Sequence, residues 1–404
     1  MTAEPTMLSG IRVLDLTQYL SGPSATQLLA GLGADVIKVE PAPGGDPTRW
    51  VPAVRDDRSA FFVQQNRGKR SICVDLAEVA GHRLIRDLIA ACDVVVENFG
   101  PGVLEKRGLD YESLRADHPA LIMASISAFG KGNSLSHLPG YDIVGQAYSG
   151  VVHLTGELDG PPMPAGIPIS DCAAGMMVFG AVGHALFHLV RTGEGQHIDV
   201  NLVEPVLHMQ ALAVQIPSAL GPDHLQVRRG RRYGTSPPSG CYQGPNGHVV
   251  IHLAEPQWDR FREAVAGSGI ETDARFVDRA GRLANEEELV EAVETWMQTF
   301  PSDEALLEHL GEHRCPAGPV VDVGTAAEVH PWYRERGAIT TVDDPMLGPL
   351  DVPGFPARFG AQLNPAYADT PAPGLGQHTD EVLTELLGYD TTEINRLRAD
   401  AIVR

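Results

Sequence analysis

The stretch IRVLDLTQYLSGPSATQLLAGLGADVIKVE, residues 11–40, decides the fold of this chain. Its β-branched start, Ile11 to Thr17, predicts a strand, Ser24 to Leu32 predicts a helix, and Ala34 to Glu40 predicts a second strand. A strand, a helix and a strand in that order connect two parallel strands of one sheet. The stretch therefore predicts an α/β fold.

The same alternation continues as far as residue 127. The sequence predicts further strands at 71–76, 94–98 and 121–127, with helices at 79–92 and 111–117 between them. Strands that alternate with helices form a doubly wound, Rossmann-like parallel sheet, and its ligands bind beyond the carboxyl ends of the strands. The segments delivered to that edge are Thr17 to Tyr19, Pro41, and Glu97 to Phe99.

A nucleotide-binding glycine loop is missing from the predicted sheet. Gly31-Leu-Gly-Ala34 follows a helix rather than a strand, so it lacks the spacing that cradles a pyrophosphate. These glycines are typical of a helix C-terminus and turn. The sequence has no P-loop either, so the sheet gives no indication of NAD or nucleotide triphosphate binding.

Beyond residue 200 the chain changes character. A length of 404 residues exceeds a typical single core, and the Gly-, Pro- and Arg-rich stretch 221–240 indicates a boundary. We therefore predict that residues 1–224 start a large domain and that 225–330 form a smaller α+β domain. The later predicted elements are a strand at 197–202, one long helix at 204–220, a hairpin at 240–253, helices at 256–266, 286–299 and 302–311, a Pro-rich coil at 344–373 and a final helix at 379–387.

The charge of the chain restricts its partners. The formal net charge is −21 and the isoelectric point is about 5.0, and such an acidic field repels nucleic acid and anionic membranes. Hydrophobic residues make up 43% of the chain and charged residues 21%, which is typical of a folded globular protein. The apolar run Met176 to Val190 is short and carries His184, so we predict a buried helix rather than a membrane span.

Cysteines and histidines give no indication of a metal site. His184 and His188 are four residues apart but have no evident third ligand, so we expect no metal. Residues 1–9 lack the basic and apolar pattern of a signal peptide. The cysteines are odd in number and lack C-x-x-C spacing, which argues against zinc and disulfides and favours a reducing cytoplasm; they are Cys73, Cys92, Cys172, Cys241 and Cys315.

One carboxylate occupies a position suited to chemistry. The stretch GIPISDCAAG, residues 166–175, precedes the apolar run, and Ser170 or Asp171 occupies the predicted N-cap of its helix. The N–H groups and dipole of a helix start favour an ionised carboxylate, which can attack an activated acyl group. An ordinary capping role for Asp171 is the alternative. Nothing next to Cys172 in the sequence would selectively lower the pKa of its thiol.

A series of motifs, in order from about residue 8 to residue 390, resembles the class III CoA-transferase (CaiB/BaiF) family. The resemblance implies that Asp171 is the nucleophile, that residues 331–404 return to the large domain, and that two subunits thread through each other as an interlocked homodimer. The matching segments are Ile11–Thr17 with Ser21–Pro23, Gly33–Glu40, Asn66–Ser71, Val96–Gly102, Gly140–Asp142, Arg191–Gln196 and Gly376–Thr379.

The resemblance also implies a coenzyme A site in the large domain. Coenzyme A is an anion, so its phosphates need Lys, Arg and backbone donors. The charge pattern offers Arg67, Lys69 and Arg70, with a solvated basic turn as the alternative. The positions that match the CoA site of the family are Val74, Asn98, Phe99, Lys106, Arg107, Gly140 and Tyr141.

Two departures from the family affect the substrate. Some members carry a basic residue directly after the strand that ends at Glu40, where this chain has Pro41. Some members have a glycine-rich loop in the small domain, where this chain has Ser236-Pro-Pro-Ser-Gly240. We therefore expect a weaker or displaced adenine-phosphate contact. The second difference argues against specificity for oxalate or formate, and the sequence names no particular donor or acceptor acid.

The resemblance thus implies an enzyme that moves CoA from an acyl-CoA to a free carboxylic acid. It also implies that the CoA thioester is a substrate, and we expect no tightly bound cofactor. The resemblance implies a covalent aspartyl intermediate on Asp171, and backbone N–H groups near that residue are candidate donors to the oxyanion.

Two other classes of function remain open. The first is a 2-methylacyl-CoA racemase or epimerase of the same fold, which needs a second base where this chain has Tyr141 instead of a His. His137 and His153 lie nearby in the sequence and stay open as substitutes. The second is a non-catalytic CoA-binding protein, which the retained Asp171 disfavours.

Overall fold

The computed structural model of the chain describes residues 6–52, 54–234, 236–360 and 370–404. It divides into two compact units. The first takes the described residues within Met1–Val152, Pro164–Leu225 and Pro331–Arg404, and the second takes those within His153–Met163 and Gln226–His330. Of the stretches interpreted above, residues 1–5 of the N-terminus and 361–369 of the Pro-rich coil lie outside the described residues.

The strands are short and most of them are buried. In chain order they are β1 (Arg12–Asp15), β2 (Asp35–Pro41), β3 (Val54–Arg55), β4 (Arg58–Ser59), β5 (Arg70–Val74), β6 (Val94–Glu97), β7 (Ile122–Ser127), β8 (His197–Asn201), β9 (Gly240–Gln243), β10 (His248–Ile251), β11 (Ala317–Pro319), β12 (Ile339–Asp344) and β13 (Gly348–Pro353).

The helices range from one turn to more than six. In chain order they are α1 (Ser21–Gly31), α2 (Ala60–Asn66), α3 (Val79–Ala90), α4 (Tyr111–Leu114), α5 (Asp142–Tyr148), α6 (Val151–Leu154), α7 (Ile169–Thr192), α8 (Glu204–Met209), α9 (Gln215–Leu220), α10 (Trp258–Ala264), α11 (Arg279–Ala284), α12 (Glu286–Met297), α13 (Asp303–Glu312), α14 (Ala326–Val329), α15 (Trp332–Glu335), α16 (Thr379–Leu387) and α17 (Thr391–Ala399).

Six strands of the first unit form one parallel sheet in the order β5-β2-β1-β6-β7-β8. β1 lies at its centre, with Val13 aligned with Val36 of β2 on one side and with Val94 of β6 on the other. Because the chain extends the sheet from β1 in both directions, the strand order reverses between β1 and β6, where such sheets bind ligands. The predicted α/β fold with a Rossmann-like parallel sheet is confirmed.

The two faces of this sheet enter separate hydrophobic cores. Leu14, Ile37 and Ile72 are fully buried with side chains of α3 and α16. Val13 and Val36 point the other way and pack with side chains of α1 and α7. Strands buried on both faces consist of nearly continuous apolar runs, and such runs made these strands predictable from the sequence.

Helix α7 starts earlier than predicted. It begins at Ile169, and its N-cap residue is Pro168, which makes no capping side-chain hydrogen bond. The predicted N-cap at Ser170 or Asp171 is therefore wrong. Both residues lie inside the first turn. The helix approaches α1 closely at Gly175, where a Cβ atom would lie 2.6 Å from the carbonyl oxygen of Ser21 and would also overlap the Ser24 hydroxyl. Glycine is therefore needed at this contact.

α7 is long and apolar enough to cross a membrane on length and composition alone, with a mean hydropathy of 1.6. In the fold, its residues Ala174, Val178 and Val182 are fully buried against the sheet. The core helix of a globular protein has the same composition, but only 33% of the apolar window of α7 is buried. The predicted buried helix is therefore confirmed for the face toward the sheet, whereas Met176 and Val190 are exposed.

Two predicted elements are wrong, and several helices were not predicted, among them α17. The single helix expected at 204–220 is broken into α8 and α9, because Pro217 has no N–H to continue a helix but fits the first turn of a new one. The coil expected at 344–373 contains β13, which pairs antiparallel with β12. The additional helix α17 is capped by Asp390, whose carboxylate accepts from the N–H groups of Thr392 and Glu393.

The C-terminal segment adds to the edge of the parallel sheet. The N–H of Asp75 donates to the carbonyl of Ile402 at 2.8 Å, and the N–H of Arg404 donates to the carbonyl of Cys73 at 3.1 Å. Val403 bridges to Val74 between these two bonds. The tail of the chain is thus part of the first unit.

The second unit has its own sheet and core. β9, β10 and β11 form an antiparallel sheet in the order β11-β10-β9, and β9 and β10 form the hairpin predicted around residues 245–247. Helices α10, α12 and α13 pack beside it around Phe261, Val293 and Leu310, which are fully buried.

Candidate active site

The loops that follow β1 and β6 meet where the strand order of the sheet reverses. The side-chain oxygen of Asn98 accepts from the N–H of Gln18 at 2.9 Å, and its amide nitrogen donates to the carbonyl of Gln18 at 2.8 Å. Both polar groups of the Asn98 side chain are therefore used within the protein. Asn98 fixes the two loops to each other, and the neighbouring residues form the surface that a ligand can reach.

A cavity of about 270 Å³ lies at this edge of the first unit. It brings Asp171 together with four of the residues predicted for the CoA site, which are Asn98, Phe99, Gly140 and Tyr141. The remaining described lining residues are Gln18, Tyr19, Ser21, Gly100, Pro101, Ile126, Ser127, Ala128, Leu138, Pro139 and Leu202. A carboxylate from α7 thus lies at the carboxyl edge of the doubly wound sheet.

A second cavity, of about 350 Å³, continues along the same edge. It shares Phe99 and Ser127 with the first cavity and is also lined by His137 and Lys131. Glu97 lies at its base, and burial raises the pKa of this carboxyl group although hydrogen bonds from Ser125 and from the Phe99 N–H oppose the shift. The two cavities together give the sheet edge an extended groove within one unit.

The acid strength of Asp171 differs from the sequence-based expectation. Burial raises the pKa of its carboxyl group to about 7, and the negative charge of Asp142 acts in the same direction. The expected stabilisation of the ionised form by the helix start is wrong, because Asp142 takes that position. One oxygen of Asp142 accepts from the N–H of Ser170 at 2.8 Å and from the N–H of Asp171 at 3.1 Å.

The other N–H groups of the first turn of α7 are also occupied. The N–H of Ile169 donates to the carbonyl of Ile167 at 2.8 Å, and that of Cys172 donates to the carbonyl of Pro168 at 3.1 Å. These four backbone donors of the first turn of α7 are therefore not free to bind an oxyanion. The phenol hydroxyls of Tyr19 and Tyr141 are other donors that line the cavity.

Two tyrosines flank the cavity. The rings of Tyr19 and Tyr141 pack edge to face with centroids 5.9 Å apart, and Tyr141 is 68% exposed. Tyr19 has a φ of 64°, a left-handed backbone conformation that is costly for a residue with a side chain. The conformation places an aromatic side chain at the strand end where a ligand binds.

Sequence reasoning missed the roles of Asp142 and Gln146. The amide nitrogen of Gln146 donates to the second oxygen of Asp142 at 2.6 Å and to the carbonyl of Ile167 at 3.1 Å, while its oxygen accepts from the N–H of Ala165 at 2.9 Å. The available signal was the acidic residue of the Gly140–Asp142 motif with an amide four residues later, a spacing that puts both side chains on one helix face.

Lys106 and Arg107, the two predicted phosphate contacts that follow β6, differ in whether their charged groups are free to bind a ligand. Lys106 is exposed, and within the described residues no ion pair holds its ammonium group. The guanidinium of Arg107 donates to the carbonyl of Val103 at 2.8 Å and to that of Leu76 at 3.2 Å. Arg107 therefore anchors its own turn, and Lys106 is the freer cation.

The three remaining predicted CoA residues lie away from the cavities at this edge. Lys69 is buried in an ion pair with Asp15 at 2.9 Å, and burial lowers the pKa of its ammonium group to about 8. Arg70 starts β5 at the opposite edge of the sheet, where Asp35, Glu381 and Glu385 surround its guanidinium. The side chain of Val74 is fully buried beside Val403. These three side chains are therefore not part of the site at the carboxyl edge of the sheet.

Cys172, His184 and His188, which belong to the first unit, are not among the described lining residues of the cavity that contains Asp171. Burial raises the pKa of the Cys172 thiol to about 11, so it is a poor nucleophile near neutral pH. His153 belongs to the second unit. His184 and His188 line a separate apolar cavity of about 1020 Å³ along the outer side of α7. Within the described ranges, no group of three or more His, Cys, Asp or Glu side chains could hold a metal ion.

The chain is similar to known proteins along nearly its whole length. The family model described as CoA-transferase family III matches residues 8–379. A succinate–glutarate CoA-transferase of Agrobacterium fabrum is 35% identical, over 95% of this chain and 97% of the relative. A formyl-CoA:oxalate CoA-transferase of a Bradyrhizobium strain is 32% identical, over 96% and 95%.

The structural comparison agrees with the sequence comparison. The crystal structure of a CaiB/BaiF family protein from Brucella suis has a TM-score of 0.83 and 33% identity, and the match covers 95% of this chain and all of that protein. The chain belongs to CoA-transferase family III. It is an enzyme of the acyl-CoA:carboxylate CoA-transferase class.

Proposed function

We propose that this enzyme transfers CoA from an acyl-CoA to a free carboxylic acid through a covalent intermediate on Asp171. The observation that carries the proposal is the position of Asp171 in the 270 Å³ cavity at the sheet edge, beside Phe99, Gly140 and Tyr141. A cavity of this size is suited to a small acyl group or acid rather than to a whole coenzyme. The acyl end of the donor therefore enters this cavity, and the rest of CoA extends along the edge.

The first half of the reaction cleaves the donor thioester. A carboxylate oxygen of Asp171 attacks the thioester carbonyl carbon, a C–O bond forms, the C–S bond breaks, and CoA leaves as a thiolate. The thiolate then attacks the aspartyl carbonyl of this mixed anhydride. The donor acid leaves as a carboxylate, and Asp171 is joined to CoA as a thioester.

The second half reverses these steps with the acceptor. The acceptor carboxylate attacks the aspartyl thioester and releases CoA thiolate, which leaves an anhydride between Asp171 and the acceptor. The thiolate attacks the acceptor carbonyl, the new acyl-CoA forms, and the Asp171 carboxylate is regenerated. Each anhydride would hydrolyse if water reached it, so the half-buried position of Asp171 protects the intermediate.

The raised pKa of Asp171 serves this chemistry. A carboxylate with a pKa of about 7 is more basic than an ordinary aspartate, so it is a better nucleophile toward a carbonyl, and about half of it is ionised at neutral pH. Because the N–H groups of the first turn of α7 are occupied, the hydroxyls of Tyr19 and Tyr141 are our candidates for donors to the developing oxyanion.

The nucleotide part of CoA needs cations beyond the cavity. Lys106 is exposed on the turn Glu105–Arg107, which adjoins the second cavity. We propose that Lys106 contacts a CoA phosphate and that Arg107 mainly holds the turn, because its guanidinium already donates to two carbonyls. Asn98 contributes by fixing the loops, and Phe99 by apolar contact.

Short carboxylic acids, including dicarboxylates, are the acceptors that we propose to test. The support comes from relatives named for succinate and glutarate and for formyl-CoA and oxalate. The enzyme is incubated with pairs of acyl-CoAs and free acids, and chromatography measures new acyl-CoA. We expect transfer with at least one pair, reduced at least about a thousandfold in Asp171→Asn with donor binding retained. Near-normal transfer in that variant would remove Asp171 from the mechanism.

We also propose that the enzyme is a homodimer. Met176, Met177, Phe187 and Val190 leave an exposed apolar surface on α7, next to the large apolar cavity. A monomer rarely exposes such a continuous patch, and a second copy would cover it. Sedimentation equilibrium should give twice the mass of the chain, and a stable folded monomer at working concentration would contradict this.

We propose a cytoplasmic location for the enzyme. The five cysteines are all unpaired, which is expected in a reducing compartment. Expression with fractionation and thiol labelling in the intact cell tests this location.

A 2-methylacyl-CoA racemase remains the second candidate, because a pKa of about 7 also suits Asp171 as a proton acceptor. A racemase needs a group on the other face of the carbon, and the titratable lining residues of the cavity besides Asp171 are the phenols Tyr19 and Tyr141. Burial raises the pKa of Tyr19, which makes its hydroxyl a poorer acid at neutral pH. The cavity therefore favours transfer.

A further inference from the structure

We infer that Asp142 is a positioning residue for the reaction: its carboxylate occupies the backbone donors at the start of α7 and thereby keeps them from Asp171. The inference rests on the proposed role of Asp171 as the nucleophile. It concerns a residue that does not line the cavity and that is not required to touch the substrate.

The hydrogen bonds around Asp142 show a carboxylate with a fixed position. Its Oδ1 accepts from the N–H groups of Ser170 and Asp171 at 2.8 and 3.1 Å. Its Oδ2 accepts from the Gln146 amide at 2.6 Å. Three donors therefore hold one side chain, and two of them are the consecutive backbone N–H groups of Ser170 and Asp171.

Gln146 extends this arrangement to the segment that leads into α7. Its side chain is nearly fully buried and also contacts the carbonyl of Ile167 and the N–H of Ala165. α5 and the start of α7 are thus joined by side-chain bonds from two residues one helical turn apart. The direction of the first turn of α7, and with it the direction of Asp171, depends on this pair.

The N–H groups at the start of a helix affect how strongly a nearby carboxylate acts as a nucleophile. Free N–H groups at a helix N-terminus would hydrogen-bond Asp171, stabilise its charge and make it a weak nucleophile. In this chain the charge of a second carboxylate replaces those donors. Asp171 therefore keeps a basic lone pair at the cavity that it lines, and Asp142 remains behind it as a half-buried carboxylate that does not react.

Asp142 is the charge that acts on Asp171. Helix α1, which packs on α7, carries no charged side chain, and Cys172 is a neutral thiol. Burial is the larger cause of the raised Asp171 pKa, and Asp142 is the second. Besides Asp142, the charged or titratable groups on the described elements packed against α7 are Tyr148 on α5, Glu204 and His208 on α8, and His197 and Asp199 on β8, and none of them contributes to that shift.

Two substitutions separate the charge of Asp142 from its hydrogen bonds. In Asp142→Asn, the side-chain oxygen can still accept from the two N–H groups, while the negative charge and the bond from Gln146 are lost. In Asp142→Ala, the N–H groups become free to bond Asp171. The matched control is Asp390→Asn, since Asp390 caps α17 with the same pair of backbone hydrogen bonds at 2.8 and 2.9 Å in an exposed position.

The experiment measures kcat and KM for CoA transfer between pH 5 and 9, together with thermal unfolding. For Asp142→Asn we expect the midpoint of the kcat/KM profile to move to lower pH by about one unit, a plateau kcat lower by about tenfold, and a KM for acyl-CoA within about twofold of wild type. Asp142→Ala should lower kcat further, and Asp390→Asn should match wild type throughout.

An unchanged pH midpoint in Asp142→Asn would overturn the inference, as would wild-type kcat in Asp142→Ala. If Asp142→Ala does not fold, Asp142→Asn alone decides the question, because its midpoint either moves or does not. Failure of the proposed function gives a different result. In that case Asp171→Asn retains activity, whatever Asp142→Asn shows.

Discussion

Removal of the charge of Asp171 should make the protein more stable while it abolishes transfer. The carboxyl pKa is raised from 3.8 to about 7, mainly by burial and then by Asp142. A shift of about three units corresponds to about 4 kcal/mol at 1.36 kcal/mol per unit. Because the folded state binds the proton more tightly than the unfolded state, wild-type stability falls as pH rises from about 4 to about 7 and then stays level.

Asp171→Asn cannot ionise and escapes this loss. We expect guanidinium unfolding at several pH values to show that the free energy of unfolding of the variant increasingly exceeds that of wild type as pH rises. The difference should reach about 4 kcal/mol at pH 8. Asp110→Asn is the control, because hydrogen bonds from Ser113 outweigh burial and lower the pKa of that carboxyl group, so its removal should not stabilise. If the difference in the free energy of unfolding between wild type and Asp171→Asn stays constant across this pH range, the reasoning is refuted.

Four further outcomes are expected. Wild-type kcat/KM should rise about tenfold from pH 6 to pH 8, because the ionised fraction of a group with a pKa of about 7 rises from about one tenth to about nine tenths; a flat profile would contradict the raised pKa. Lys106→Ala should weaken acyl-CoA binding in calorimetry, more strongly at low salt, while Arg115→Ala, which removes an exposed cation paired with Glu112, should not; equal affinities would exclude a phosphate contact. Cys172→Ala should keep at least about half of wild-type transfer, since its thiol stays protonated, and a loss comparable to Asp171→Asn would point to a thiol mechanism. A 2-methylacyl-CoA incubated with enzyme in deuterium oxide should not exchange its 2-proton, and rapid enzyme-dependent uptake without CoA transfer would favour the racemase.

The parallel sheet could be predicted because its strands are buried on both faces. Runs such as Val94 to Val96 are apolar without interruption, and each is separated from the next by a helix with a clear apolar face such as α3. The elements that failed have weaker local signals. Pro217 fits only the first turn of a helix, so the helix expected at 204–220 is divided into two. β13 pairs with β12, and the sequence pattern of either segment gives no sign of this pairing.

The site shows the same division between local and tertiary information. Asp171 could be located from its place before an apolar run and from the family resemblance, and Phe99, Gly140 and Tyr141 lie in the same cavity. The state of Asp171 could not be predicted, since the carboxylate that caps α7 comes from a residue 29 positions earlier in the chain.

Charge patterns misled where burial decides the outcome. Lys69 and Arg70 look like a solvated basic turn or a phosphate site, but each is held by carboxylates. Asp15 is buried with Lys69 at the end of β1, and the partners of Arg70 come from β2 and from α16. Contacts between residues so distant in sequence are not visible in a local charge pattern.

The central claim is that Asp171 becomes covalently bound during the reaction. Wild-type enzyme is incubated with a donor acyl-CoA and quenched with hydroxylamine, and its peptides are analysed by mass spectrometry, with Asp171→Asn and Cys172→Ala treated in parallel. The account predicts a hydroxamate on Asp171 in wild type and in Cys172→Ala and none in Asp171→Asn. Transfer that proceeds with Asp171 unmodified, or with a label on another residue, would contradict it.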